Sequence, residues 1–135
     1  MTISFEEVIK RTGLPIIDCI IKGHDEPLSF LIDTGTDYSR IFNFVREGIP
    51  HCFTNSGETE STVGINGETQ EGDIVRASIE IGNRCLSLDF VEIEISPIVP
   101  MMYQKYGVKL YGVLGNEFLF SGQFKIDFKN FCLTD

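Results

Sequence analysis

Apolar and polar residues alternate over much of this chain with the period of two that a half-buried strand requires. The pattern is clearest at residues 75–81, where Val75, Ala77, Ile79 and Ile81 face one way and Arg76, Ser78 and Glu80 the other. Gly82-Asn83-Arg84 then supplies turn chemistry, and Leu86, Leu88 and Phe90 line a return strand that continues towards Ile95. An earlier pair has the same form. Ile17, Cys19 and Ile21 share a face, Gly23-His24-Asp25-Glu26-Pro27 reads as a turn, and Leu28 to Ile32 returns as a second arm. Near the C-terminus Phe124, Ile126 and Phe128 alternate with Lys125, Asp127 and Lys129, and a turn at Lys129-Asn130 leads into Phe131-Cys132-Leu133.

Helical spacing is rarer. Ile41, Phe42 and Val45 fall at helical intervals and are followed by Gly48-Ile49-Pro50, which predicts a short helix within residues 38–47. Residues 5–11 suit a short helix or a leading strand. Residues 97–107 break the alternation with two prolines and the bulky Met101, Met102, Tyr103 and Tyr106. A surface excursion with a short helical turn is expected there, packed over one end of the core or bordering a substrate groove. Asn55-Ser56-Gly57-Glu58 reads as a loop, and Gly64, Gly67 and Gly72 punctuate the next segment as a hairpin with positive φ at its tip requires. Many short strands joined by Gly and Asn turns predict an all-β sandwich or barrel with one or two short helices.

Chemistry enters where the second arm ends. Phe30-Leu31-Ile32 runs into Asp33-Thr34-Gly35, which puts one carboxylate at the mouth of a buried strand. About eighty residues later Val113-Leu114 runs into Gly115 and then a short amphipathic stretch, Asn116-Glu117-Phe118-Leu119. These segments, in this order, resemble the retropepsin-like aspartic proteases, in particular the small bacterial and retroelement members that carry a single Asp-Thr-Gly. The matching stretches are residues 33–39, the flap-like Gly64-Ile65-Asn66-Gly67, residues 112–119, and the final strand at residues 124–130. Thr36 stands where the family usually has alanine, and Glu117 where it commonly has aspartate.

The resemblance implies an acid-protease barrel from about residue 14 to 133, within a single domain spanning residues 1–135 and preceded by an extension at 1–13. It also implies roles. Asp33 is the catalytic residue; Thr34, Gly35, Ser39 and Gly115 support its loop, Thr34 by a hydroxyl bond across a dimer axis. Gly64, Ile65, Asn66 and Gly67 form the flap that covers substrate. Hydrolysis of an amide needs a water made nucleophilic and a proton for the leaving nitrogen, and two carboxylates sharing one proton supply both. One Asp-Thr-Gly per chain therefore points to a homodimer cleaving a peptide or protein. The alternative is an inactive domain of the same fold that binds peptide or protein in the same groove.

Composition narrows the partners. The chain has 135 residues, 42% of them hydrophobic, which suits one domain with a real core. Its net charge of −9, from 11 basic and 20 acidic residues, leaves no basic stripe for a nucleic acid. Neither a secretory signal nor an apolar run long enough for a bilayer is evident, so no membrane partner and a cytoplasmic location are expected. Cys19, Cys52, Cys85 and Cys132 lack metal-ligand spacing and are expected as buried free thiols, with no metal or cofactor. His24 and His51 read as solvated, and the adjacent His51-Cys52 makes a poor nucleophilic pair because neighbouring side chains rarely face each other. Glu58, Glu60, Glu68, Glu71 and Asp73 are expected to form an acidic, solvated face around the flap.

Overall fold

The computed structural model describes residues 1–64 and 67–135. Its strands are β1 (Thr2–Ser4), β2 (Ile16–Ile21), β3 (Leu28–Ile32), β4 (Arg40–Phe42), β5 (Thr54–Val63), β6 (Thr69–Ile81), β7 (Arg84–Ile93), β8 (Leu110–Leu114), β9 (Lys125–Asp127) and β10 (Cys132–Thr134). The helices are α1 (Glu6–Thr12), α2 (Asn43–Gly48), α3 (Ile98–Tyr106) and α4 (Asn116–Gly122), with a 3₁₀ turn at Pro50–Cys52. The fold is all-β in character, as the alternation requires. Seven strands form one sheet in the order β2-β3-β8-β4-β7-β6-β5, and β2 also pairs with β6, so the hydrogen-bonded path returns to its first strand. A second, three-stranded sheet has the order β1-β10-β9.

The period-two reading holds best where a strand has one wet face. On β6 the residues Val75, Ala77, Ile79 and Ile81 are all buried, while Arg76 and Glu80 are exposed. Together with Phe30, Phe90, Ile41, Leu110 and Leu114 they form one continuous apolar core. Of the first thirteen residues, β1 joins the second sheet, with Ile3 opposite Leu133, and Phe5 is buried with its ring edge-on to Phe128.

Three segments differ from the pattern-based expectation, each for a physical reason. Ile41 and Phe42 belong not to a helix but to β4, which lies between β7 and β8 and is buried at all three positions. A strand wet on neither side shows no alternation. The helix that follows covers only Asn43–Gly48. Residues 55–58 lie inside β5, an edge strand whose register shifts between Asn55 and Thr59, with Gly57 at φ 79°; polar residues suit an exposed edge. The expected excursion at 97–107 holds the full helix α3, which buries Val99 and Met102 and ends at Gly107 with φ 69°. Pro97 and Pro100 sit at its start, where a missing N–H costs nothing. With α1 and α4, the helices number four among the described residues, each short.

Gly112 shows how closely the central strands approach. It lies on β8 opposite Phe30 of β3 and Ile41 of β4, and an added Cβ would press on the Arg40 carbonyl and come within 2.8 Å of the Phe30 ring. Gly48, at the end of α2, has open space around the same position. Gly112→Ala is therefore expected to lower unfolding free energy by about 1–3 kcal/mol. Gly48→Ala should leave it unchanged or raise it by up to about 1 kcal/mol. Urea denaturation of the two variants beside the parent chain measures both.

Candidate functional site

β3 and β8 run parallel and in register, Ile32 opposite Leu114, so their C-terminal ends emerge side by side. The ladder continues one residue further, the Asp33 N–H donating to the Leu114 carbonyl at 3.0 Å. Asp33, half-buried, then turns the chain: the Gly35 N–H donates to its own-loop carboxylate Oδ1 at 2.8 Å, and the Thr36 N–H reaches the Asp33 carbonyl at 3.3 Å. A short acidic residue that accepts from the amide two positions on is ordinary turn chemistry, here fixing the direction of the carboxylate.

The segment after β8 backs this loop. Asn116 N–H donates to the Thr36 carbonyl and Glu117 N–H to the Asp37 carbonyl, the Asn116 side-chain amide reaches the Thr34 carbonyl at 2.7 Å, and Gly115 N–H donates to the Ser39 hydroxyl at 3.2 Å. The first turn of α4 thus spends its otherwise unpaired amides on loop carbonyls. Gly115 permits this because a Cβ there would stand 2.8 Å from the Tyr38 carbonyl oxygen. Ser39 is fully buried, Thr36 nearly so, and Thr34 is exposed. The structure therefore brings Asp33, Thr34, Gly35, Ser39 and Gly115 together.

The β5–β6 hairpin lies over the loop. Val63 pairs with Thr69, Gly64 N–H donates to the Glu68 carbonyl, and Gly67 takes φ 80°. Ile65 and Asn66, read from the sequence as its tip, lie outside the described residues. The hairpin is tied down by side chains that the sequence did not single out for this role. Asp37 Oδ1 accepts from the Thr62 hydroxyl at 2.6 Å, from Val63 N–H at 3.2 Å and from Tyr38 N–H at 2.7 Å. Partial desolvation raises the Asp37 pKa, but these bonds outweigh it and hold the group below the usual carboxylate range. Arg40, buried, donates from Nε to the Thr62 hydroxyl and from Nη1 to Glu68 Oε1 at 3.2 Å. Glu68 is thus no simple member of a solvated acidic face. No local signal marks these contacts, which span 22 to 28 residues.

Between hairpin and loop is a cavity of about 200 Å³ whose walls include Asp33, Leu31, Arg40, Glu68, Gln70, Ile98 and Val113. Larger clefts of about 450 and 440 Å³ lie elsewhere, one beside α1 and one beside α2. The smaller cavity is the one that joins the loop carboxylate, the hairpin and α3.

The remaining candidates stay apart from this cavity. All four cysteines are free; Cys19 and Cys132 are buried, Cys52 is half-buried and Cys85, against expectation, is exposed. Burial, with the charge of Asp18, pushes the Cys19 thiol up to about 12. Burial also raises the Cys52 thiol, which disfavours a thiolate beside His51, whose Nε2 instead lies 3.0 Å from the Gly23 carbonyl. Among the described residues no group of three His, Cys, Asp or Glu side chains could hold a metal ion. No helix among them is long and apolar enough to cross a membrane.

No protein-family model matches the sequence, and no curated protein is similar to it in sequence. Among solved structures the chain resembles the retroviral protease-like domain of Ddi1 from Leishmania major, with a TM-score of 0.58 at 16% identity over 90% of this chain and 86% of that one. The fold is therefore that of a retropepsin-like domain. At this identity the likeness concerns architecture alone.

Glu117 carries a consequence for stability. Its carboxyl is half-buried, with Oε1 lacking a hydrogen-bond partner. Desolvation raises its pKa above the ordinary 4.5, while the Ser39 hydroxyl and amide pull partly the other way and the charge of Asp89 adds to the rise. The folded chain then holds a proton that the unfolded chain has released, so this group's contribution is complete below about pH 4.5 and is lost as pH rises through the folded value. Glu117→Gln removes that dependence. The parent chain should lose stability relative to the variant with rising pH, by at most about 1.4 kcal/mol per unit. Parallel urea titrations from pH 4 to 7 would show a constant difference if burial of Glu117 had no such effect.

Proposed function

We propose that this chain is an aspartic endopeptidase that acts as a homodimer, Asp33 of each copy meeting its counterpart at a two-fold axis. The observation that carries this reading is the Asp33 carboxylate, oriented by the Gly35 amide at the end of a paired strand and set into a cavity roofed by a hairpin. Thr34 is exposed in the single chain, as a residue that meets its symmetry mate must be.

Two adjacent carboxylates cannot both ionise easily, so the pair holds one proton. The ionised member takes a proton from a water, whose oxygen adds to the peptide carbonyl carbon, and the protonated member gives its proton to the carbonyl oxygen. Collapse of the tetrahedral intermediate breaks the C–N bond as the protonated member gives its proton to the leaving nitrogen and a hydroxyl of the intermediate returns one to the pair, leaving the dyad singly protonated again. The hairpin, closing over an extended peptide, keeps bulk water from the reaction. The net charge of −9 opposes association of two copies at neutral pH and is partly relieved by acid.

Asp33→Asn keeps the shape of the loop but removes the acid and base, so turnover of an unstructured protein such as casein should fall by about 10²–10⁴-fold or more. Excess Asp33→Asn chains should also poison the parent enzyme by forming mixed pairs. The pH-rate profile should be bell-shaped with its optimum on the acid side of neutrality, since the singly protonated dyad exists only between the two macroscopic pKa values. Sedimentation across a concentration series, run beside the assay, tests the assembly. Constant activity per chain from a sedimenting monomer would sink the shared dyad, and peptide binding without cleavage would identify an inactive binding domain.

A further inference from the structure

Phe120 is the most exposed of the large apolar side chains among the described residues, at 87%. A single exposed phenylalanine is ordinary on a protein surface; the place of this one in the fold is not. It lies on α4, the helix whose first turn backs the Asp33 loop, four residues after Asn116, so the two share one helix face about 6 Å apart along the axis. Asn116 is itself fixed to the loop, its side-chain amide donating to the Thr34 carbonyl at 2.7 Å. Other positions of α4 are spent on the chain's own core: Phe118 is fully buried with its ring on Phe124, and Leu119 packs against the core. The exposed residues of segment 116–123 are Asn116, Phe120, Ser121 and Gln123, and Thr34 is exposed as well. None of these carries a charge.

A chain with a net charge of −9 repels its own copies, and an uncharged face with an aromatic anchor is where that repulsion is least and the gain from burial greatest. The second sheet is a poorer meeting place. Its middle strand β10 is paired on both sides within the chain, which leaves open the edges of β1 and β9, each of three residues. We propose that two copies of this chain associate through the outward face of α4, each burying its Phe120 ring against the other, with their Asp33 loops side by side. The choice of partner follows from the site that this face adjoins. Each loop holds one Asp-Thr-Gly, and a second copy docked here brings another carboxylate to the same end of β3 and β8. The inference rests on the homodimeric reading for its partner, but the association it requires does not depend on catalysis. Phe120 then holds the copies together, while Asp33 performs the chemistry.

The test is sedimentation of the parent chain, Phe120→Ser, Phe120→Leu and Phe128→Ser across a concentration series, run beside cleavage of casein. Phe128, 55% exposed and set against Phe5 of the second sheet, is the control for association through that sheet. The parent should dimerise, and Phe120→Ser should raise the dimer dissociation constant about tenfold or more. Phe120→Leu, which keeps an apolar side chain, should raise it less, and Phe128→Ser should leave it unchanged. Both Phe120 variants should keep the parent's far-ultraviolet circular dichroism, since a ring this exposed supports little of the single chain. Cleavage should follow the dimer fraction in every variant. A parent dimer whose dissociation constant is unchanged in Phe120→Ser, or is raised by Phe128→Ser instead, overturns the proposal; cleavage that still falls on dilution then leaves the shared dyad standing. A dimer that depends on Phe120 but cleaves nothing overturns the proteolytic reading and leaves this interface standing. A parent chain that stays monomeric at every concentration overturns both.

Discussion

The parallel pairing of β3 with β8 is the constraint on which the rest of the candidate site depends. Parallel neighbours release their C-terminal loops at the same end of a sheet, so the loop that carries Asp33 and the turn that starts α4 meet without a long connection. Their meeting satisfies both. The loop has carbonyls without a strand partner and the helix start has amides without an intrahelical partner, and the bonds from Asn116 and Glu117 to Thr36 and Asp37 cancel the two deficits. Were the strands out of register by one residue, Leu114 would no longer accept from Asp33 and the side chains of Val113 and Leu114 would exchange faces.

What the sequence reveals follows from which forces are local. The wet-and-dry alternation of β6 and the Asp-Thr-Gly at the end of β3 are readable because each is written in neighbouring residues. So are the two separate segments of the site, residues 33–39 and 112–119, although the hydrogen bonds that join them are not. β4 is hidden because a three-residue strand buried on both sides carries no period, and its apolar pair imitates a helix. Arg40 and Asp37 are hidden for a different reason. Charged residues usually mark solvated surface, and only the folded chain shows that these two hold the hairpin through Thr62.

Asp37, Thr62, Arg40 and Glu68 form one connected line of polar contacts from the Asp33 loop to the hairpin. Such a line transmits position in both directions. A displacement of the hairpin must break or stretch the Thr62 bonds to Asp37 and Arg40, and each break leaves a charged group short of a partner in a partly desolvated place. The positions of the hairpin and of the loop that bears Asp33 are therefore coupled through these side chains.

Among the described residues, four buried side-chain atoms lack a hydrogen-bond partner: Thr36 Oγ1, Arg40 Nη2, Glu117 Oε1 and Thr134 Oγ1. Three of the four belong to the Asp33 loop or to the elements that directly follow and back it. Each of these atoms is closed off from solvent, and of the three residues only Arg40 lines the cavity beside Asp33, so their concentration at one end of β3 and β8 records the cost of holding the Asp33 loop between α4 and the hairpin.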